Sequence, residues 1–296
     1  MTELATVRHA SELALTTTVV VGVDGSRRNA AAVAWAVDEA GSSGAPLLLV
    51  HDRRGSGQES AARATVDRGV ALVARIDPDL TPQTGLTDLG ASAGLVHAAR
   101  THAGPGMIVV GRRGAGGFTR LKLGSTARNL VHEPGPPTIV VPTGWASGSV
   151  PATAPVVVDV TPPGEGQDHQ GSSLSTLEQE AVHERALALA LTRARRLGRP
   201  VVAVRAWAVD ADVAMEGRAI GEVWGEHATR AEEQLERVLA PWRTAYPDVE
   251  VVGLTTDRHP VAVLLDQAEG AELVILPRGW RGCAVVEYAT CPVAVV

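Results

Sequence analysis

Aromatic residues are scarce in this chain, and no apolar run is long enough to span a bilayer. Aromatic side chains make up only 3% of the 296 residues, so the cores must be aliphatic, and stacking platforms for single-stranded nucleic acid are not expected. The apolar runs fall well short of the roughly 18 residues that a membrane helix needs. The first residues also lack the basic and then apolar pattern of a secretion signal. We therefore expect a cytoplasmic protein that binds neither nucleic acid nor membrane.

Cysteine is almost as rare, with only Cys283 and Cys291 present near the end of the chain. A fold held together by disulfides needs more cysteines and an oxidising compartment. The two residues are better explained as small buried hydrophobic side chains than as a redox or metal-binding pair.

The order of elements repeats along the chain, whose length suits two domains on a prior of about 150 residues each. Within each copy, short β-branched runs without alternation are separated by helical patterns. Such runs are typical of parallel strands covered on both faces, and their alternation with helices predicts βαβ units. The sequence therefore predicts an α/β protein made of two tandem, doubly wound domains with five-stranded parallel sheets.

The composition predicts where these domains begin and end. Residues 1–16 show no clear period and are interpreted as an N-terminal arm. Residues 17–143 form the first copy, and residues 155–296 form the second. Residues 144–154, rich in Gly, Ser, Ala and Pro and without charge, are typical of a linker.

One glycine-rich stretch, residues 107–126 with the sequence MIVVGRRGAGGFTRLKLGST, is the strongest functional signal in the chain. An apolar run ends at Gly111 and a loop follows. Gly124, Ser125 and Thr126 then stand at the start of a short helix. Glycines let main-chain N–H groups approach an anion closely, and the first helical turn adds unpaired donors and a positive dipole end. The spacing is neither that of a Walker loop nor that of the dinucleotide fingerprint.

The charge around this loop supports an anion site. Between positions 104 and 132 there are five basic residues and no acidic one, in a chain of net charge −6. The basic residues are Arg112, Arg113, Arg120, Lys122 and Arg128. A bound anion, a solvated face or a partner surface would each account for the cluster. The alternative for the loop itself is a glycine-rich connecting turn with no role in ligand binding.

The pattern Gly-x-x-Gly-x(9)-Gly-Ser after a strand resembles the ATP-binding loop of the universal stress proteins. The resemblance covers nearly the whole chain as a fold, and it implies a site for ATP, with magnesium, in the first copy. The site residues that it implies are Gly22, Val23, Asp24, Asp52, Gly111, Arg112, Gly114, Gly124, Ser125 and Thr126. The first three would hold the adenosine end, and main chain near Asp52 would contact adenine. The next three would meet ribose and phosphates, and the last three would cradle the phosphates.

Several of these residues also have simpler explanations. Asp24 fits equally well as the N-cap of the helix that follows it, and Ser125 and Thr126 fit as caps of their own helix. A cap and a phosphate use the same N–H groups, so the two interpretations are compatible. The histidines are scattered, and no nucleophile with a partnered base can be assembled from their spacing.

The second copy lacks the loop, because its matching segment from Pro277 to Pro292 is too short to contain it. The leading hypothesis is an ATP-binding stress-response regulatory protein whose second copy is structural or mediates interactions. The alternatives are an ATP-hydrolysing or adenylate-transferring enzyme, and an interaction module without nucleotide. Each copy ends in a short apolar strand, residues 138–141 and 292–296. Because a final strand tends to lie at a sheet edge, we expect the copies to pair within the chain, with a homodimer as a further possibility.

Overall fold

The computed structural model describes residues 18–55, 59–102, 106–114, 122–146, 148–162, 176–208 and 220–296. Two stretches named above lie outside these described residues: the N-terminal arm and the glycine-loop positions 115–121.

Strands and helices alternate along the described part, except that β5 is followed directly by β6. The strands are β1 (Thr18–Gly22), β2 (Leu47–Asp52), β3 (Gln83–Thr87), β4 (Gly106–Gly111), β5 (Thr138–Val141), β6 (Val156–Asp159), β7 (Val201–Ala206), β8 (Val251–Thr256), β9 (Leu273–Leu276) and β10 (Val293–Val295). The helices are α1 (Ala30–Ser43), α2 (Glu59–Ile76), α3 (Ala91–Thr101), α4 (Ser125–His132), α5 (Thr176–Leu197), α6 (Ile220–Ala245), α7 (Pro260–Ala268) and α8 (Trp280–Tyr288). Within the described ranges, no helix combines the length and the apolar character needed to cross a membrane.

The chain divides into two compact units. The first unit is made of residues 15–151 and 278–296, and the second unit of residues 1–14 and 152–277. The predicted domain division placed residues 278–296 within the second copy. By their contacts they group with the first copy instead.

The sheet of the first unit has the order β3, β2, β1, β4, β5, with every neighbouring pair parallel. Its central strands are covered on both faces, and Val19, Val20 and Val21 are fully buried, which explains their unbroken β-branched run. Strand β10 then pairs antiparallel with β5, where Val293 faces Val140. The edge of β5 that the sequence left open is thus covered by the last strand of the chain.

The second unit repeats the parallel arrangement around β6, which pairs with β7 and β9, while β8 pairs with β7. Helix α5 buries Ala186, Leu187 and Ala190 completely or nearly so, as the 3.6-residue period of this segment predicted. The α/β class, the mostly parallel sheets and the tandem repetition of the fold are therefore confirmed.

Helix α8 was not predicted from the sequence. It lies in the short segment that replaces the glycine loop, and it belongs to the first unit. Neither cysteine forms a disulfide; Cys291 is buried, as expected, whereas Cys283 is half-buried. The Sγ atom of Cys283 lies 3.1 Å from Nε2 of His132 at the end of α4. Burial, and then the nearby carboxylate of Glu287, raise the pKa of this thiol.

Candidate functional site

A cavity of about 580 Å³ opens at the carboxyl ends of β1 and β4 in the first unit. These two strands are neighbours in the sheet. The next strand beyond β1 is β2, and the next strand beyond β4, on the opposite side, is β5. Such a reversal of strand order leaves a crevice beyond the strand ends, and ligands of open α/β sheets bind there. The volume lies within the ordinary range for a small-molecule site.

Nine of the ten residues implied by the resemblance line this cavity: Gly22, Val23, Asp24, Asp52, Gly111, Gly114, Gly124, Ser125 and Thr126. They come from the ends of β1, β2 and β4 and from the start of α4, which are far apart in the chain. The fold brings these segments to one place.

Arg112 is the exception, because its side chain is directed elsewhere. Its Nη1 atom donates a hydrogen bond to the carbonyl oxygen of Glu287 (3.3 Å), and Nη2 donates to that of Ala289. Burial lowers the pKa of this guanidinium. The next residue, Arg113, lines the cavity in its place, so the arginine available to a ligand is one position further along than the resemblance implied.

The turn after β1 is fixed by backbone and side-chain hydrogen bonds. Oδ1 of Asp24 accepts from the N–H of Ser26 (2.9 Å), and Nδ2 of Asn29 donates to the carbonyl of Gly22 (2.9 Å). Gly25 between them has φ +72°, a left-handed conformation that favours glycine. Asp24 is thus not the N-cap of the following helix, because Asn29 holds that position before α1. One oxygen of Asp24 stabilises the turn instead, while the residue also lines the cavity.

Helix α4 begins at the cavity with its first N–H groups unused by the helix itself. Its N-cap is Gly124, which has no side chain to cap it. The first intrahelical bond described runs from the N–H of Arg128 to the carbonyl of Gly124 (2.9 Å). The N–H groups of Ser125, Thr126 and Ala127, all cavity-lining residues, precede that bond and have no intrahelical acceptor. With the positive end of the helix dipole, they make an anion-binding end of the cavity.

The opposite end of the cavity was largely missed by sequence reasoning. There the lining includes apolar side chains from β2, β4 and α3, namely Val50, Val110 and Leu95, all buried. Thr87 and Ala91, at the end of β3 and the start of α3, complete it. No local motif marks these residues, although three of them sit at strand ends, which is the one signal that could have found them.

His51 also lines the cavity, at the end of β2. Its Nδ1 atom lies 2.7 Å from the carbonyl oxygen of Val23, so the ring is tied to the turn after β1. Among the described residues there is no cluster of three or more His, Cys, Asp or Glu side chains able to hold a metal ion. The lining of the cavity therefore combines two parts: apolar side chains such as Val50 and Leu95, and the N–H groups at the start of α4, which suit an anion.

At the corresponding strand ends of the second unit, polar groups are bonded to one another. Asp159 accepts from the N–H of Thr161 (2.9 Å), and Oγ1 of Thr161 accepts from the N–H of Ala206 (2.9 Å). Trp207 is buried beside these ends. The second copy therefore has the same strand arrangement, and its polar side chains at the strand ends accept hydrogen bonds from the backbone.

Comparison with known proteins identifies the family. Residues 16–142 match the model of the universal stress protein family. A universal stress protein of Mycolicibacterium smegmatis is 29% identical over 307 aligned positions, which cover 94% of this chain and 96% of that protein. The first copy therefore matches the universal stress protein family, and proteins of that family align with most of the chain.

Solved structures agree with the fold. The crystal structure of a universal stress protein from Archaeoglobus fulgidus is 13% identical and covers 95% of this chain and 98% of its own, with a TM-score of 0.60. A second universal stress protein structure from the same organism, 23% identical, with a TM-score of 0.32 and covering 49% of this chain and 98% of its own, is a complex with dAMP.

Proposed function

We propose that the first unit binds an adenine nucleotide, ATP with magnesium, and that occupancy of this site regulates the protein. The observation that carries the proposal is the start of α4: three consecutive N–H groups without intrahelical acceptors face a cavity whose other end is apolar. A nucleotide has the same division, with a flat apolar base at one end and a polyanion at the other.

Each end of the ligand has a matching part of the cavity. The phosphates would lie against the N–H groups of residues 125–127, with Arg113 and the main chain of Gly111 and Gly114 nearby. The base would lie between the apolar side chains of Val50 and Leu95. Main-chain groups beside Asp52 and the turn at Asp24 are within the same lining and would select for adenosine.

Magnesium would be held mainly by the ligand. Mg²⁺ keeps several waters and binds through substrate phosphates with one or two carboxylates, so it needs no protein cluster of its own.

We also propose that the second copy acts through the first rather than through a ligand of its own. The antiparallel pairing of β10 with β5 supports pairing of the two copies within one chain. A homodimer would then use other surfaces.

Calorimetric titration with ATP, ADP, AMP and cAMP tests the proposal. One tight adenine nucleotide per chain is the expected result, and two equivalent sites or none would contradict it. Chromatography of the nucleotide after incubation tells a regulator, which returns ATP intact, from an enzyme, which returns ADP or AMP. Mass spectrometry of the freshly purified protein identifies any ligand carried from the cell.

A further inference from the structure

Arg278, which comes directly after the second unit in the chain, caps the helix that forms the anion end of the cavity. Its Nη1 atom donates to the carbonyl oxygens of Leu130 (2.5 Å) and Glu133 (2.8 Å), and Nη2 donates to that of Pro136 (3.1 Å). These acceptors lie at and just beyond the C-terminal end of α4. A cation at this end of a helix both satisfies carbonyls that have no intrahelical donor and favours the dipole.

Arg112, at the start of the glycine loop, makes the corresponding contact with the C-terminal end of α8. As described above, its guanidinium donates to the last carbonyls around α8, at Glu287 and Ala289. The main chains of the two arginines are also held alike, because the N–H of Arg112 donates to Val141 (2.8 Å) and that of Arg278 to Val296 (2.8 Å). Each arginine is thus fixed by a terminal strand and reaches the end of a helix from the other copy.

A third contact reaches the glycine loop itself. The ammonium of Lys122, two residues before Gly124, lies 3.8 Å from the ring centroid of Tyr288, a favourable cation–π distance. The described start and end of the loop, at Arg112 and Lys122, therefore both touch the C-terminal part of α8.

We propose that residues 278–289 position the loop and helix α4 for their anionic ligand, with Arg278 and Tyr288 as positioning residues. This inference rests on the proposed function. Helix α4 has only eight residues, a length at which a helix is marginal without tertiary support. The direction of its first N–H groups therefore depends on what holds its far end, and Arg278 holds that end.

The first test needs no ligand and uses the full-length chain. Hydrogen–deuterium exchange is measured in the wild type, in Arg278→Ala and in the control Arg258→Ala, which removes an exposed ion pair with Asp266 in the second unit. We expect exchange within α4 to accelerate about tenfold in Arg278→Ala, as loss of helix-end hydrogen bonds from a charged group implies. The buried strand β1 is expected to be unchanged, and the control to match the wild type. Unchanged exchange in α4, or equal acceleration throughout the first unit, would overturn the proposal.

The second test is the dissociation constant for ATP in the same proteins. We expect it to rise about tenfold in Arg278→Ala and to be intermediate in Arg278→Lys, because lysine keeps the charge but cannot reach both sets of carbonyls. Tyr288→Leu is expected to weaken binding, and Tyr288→Phe, which keeps the ring, to retain it. Equal affinity in Arg278→Ala and wild type would refute a positioning role. If the wild type binds no nucleotide, the proposed function fails, while the exchange measurement still decides whether Arg278 positions α4.

Discussion

Gly114 packs directly against the carboxylate of Asp24: a Cβ atom at position 114 would lie 2.6 Å from Oδ2 of Asp24. The two residues come from the loop after β4 and the turn after β1. A side chain at position 114 would therefore have to displace the Asp24 carboxylate.

Gly114→Glu is expected to lower nucleotide affinity by more than tenfold, since both the added bulk and the negative charge oppose phosphates at the loop. Calorimetry measures the effect. Gly144→Glu is the matched control, because a Cβ at Gly144 meets nothing within 4 Å. Full affinity in Gly114→Glu would show that the ligand, if any, binds elsewhere.

Asp24→Ala is expected to bind triphosphate weakly and to discriminate poorly between adenine and guanine nucleotides, because a hydrogen-bonding side chain in a site supplies selectivity. Asp24→Asn separates this role from the turn, since an amide oxygen can still accept from Ser26. If Asp24→Ala keeps its preference for ATP and loses only thermal stability, the residue is structural and nothing more.

A fragment of residues 1–146 is expected to dimerise or aggregate, since it lacks β10 and exposes the edge of β5. Light scattering at several concentrations shows the assembly, with the full-length chain as the comparison. Adding a peptide of residues 278–296 is expected to restore the monomer. A fragment that stays monomeric with full nucleotide affinity would contradict the pairing of the copies.

The buried ion pair between Arg193 and Glu272 predicts that replacing one partner destabilises the protein more than replacing both. Its two hydrogen bonds measure 2.9 and 2.6 Å, and both side chains are only 7% exposed. Arg193→Met is expected to destabilise the protein by about 3–5 kcal/mol because it leaves a buried charge unpaired, whereas the double change Arg193→Met with Glu272→Leu is expected to cost far less. Denaturant unfolding measures both. Arg237→Ala, which removes an exposed pair with Glu233, is the control and is expected to change stability by less than about 1 kcal/mol.

The pKa of Glu184 lies above its ordinary value, chiefly because of burial and then because of the like charge of Glu180. A carboxyl group with a raised folded pKa binds more protons in the native state, so its contribution to stability falls as pH rises through the interval between its unfolded and folded pKa. Glu184→Gln is therefore expected to raise the melting temperature at about pH 7 and to leave it unchanged at about pH 3, where the carboxyl group is protonated in both states. The exposed Glu232→Gln is the control. A lower melting temperature at neutral pH would disprove the effect.

The sequence predicted most of the elements that build the cavity because they carry strong patterns. An unbroken β-branched run marked β1, a continuous apolar run marked β2, and the glycine spacing marked the loop and the start of α4. Helix α8 was missed because it is short and contains Gly282, so neither propensity nor period distinguishes it from a loop. In α6 the helical spacing identifies the buried face only in part: Ala231, Leu235 and Trp242 are buried, whereas Trp224 and Val238 are 40% and 37% exposed.

The choice between Arg112 and Arg113 was beyond local reasoning. Neighbouring side chains at a strand end point in opposite directions, and the pattern of the loop does not say which one faces the cavity. Arg112 is directed away from the cavity by its hydrogen bonds to the carbonyls of Glu287 and Ala289, which are distant in sequence. Apolar lining such as Leu95 likewise depends on which helix the topology places against the strand ends.

The position of β10 has a consequence for the order in which the molecule is made. A chain emerges from the ribosome N-terminus first, at about 5–20 residues per second. Strand β5 is therefore synthesised long before its antiparallel partner, because the whole of the second copy is translated between them. Until then the edge of β5 is available to other nascent chains, and the loop lacks the residues that hold Arg112 and Lys122. The sheet of the first unit is therefore begun first during translation, and it gains its antiparallel strand β10 only after the second unit has been translated.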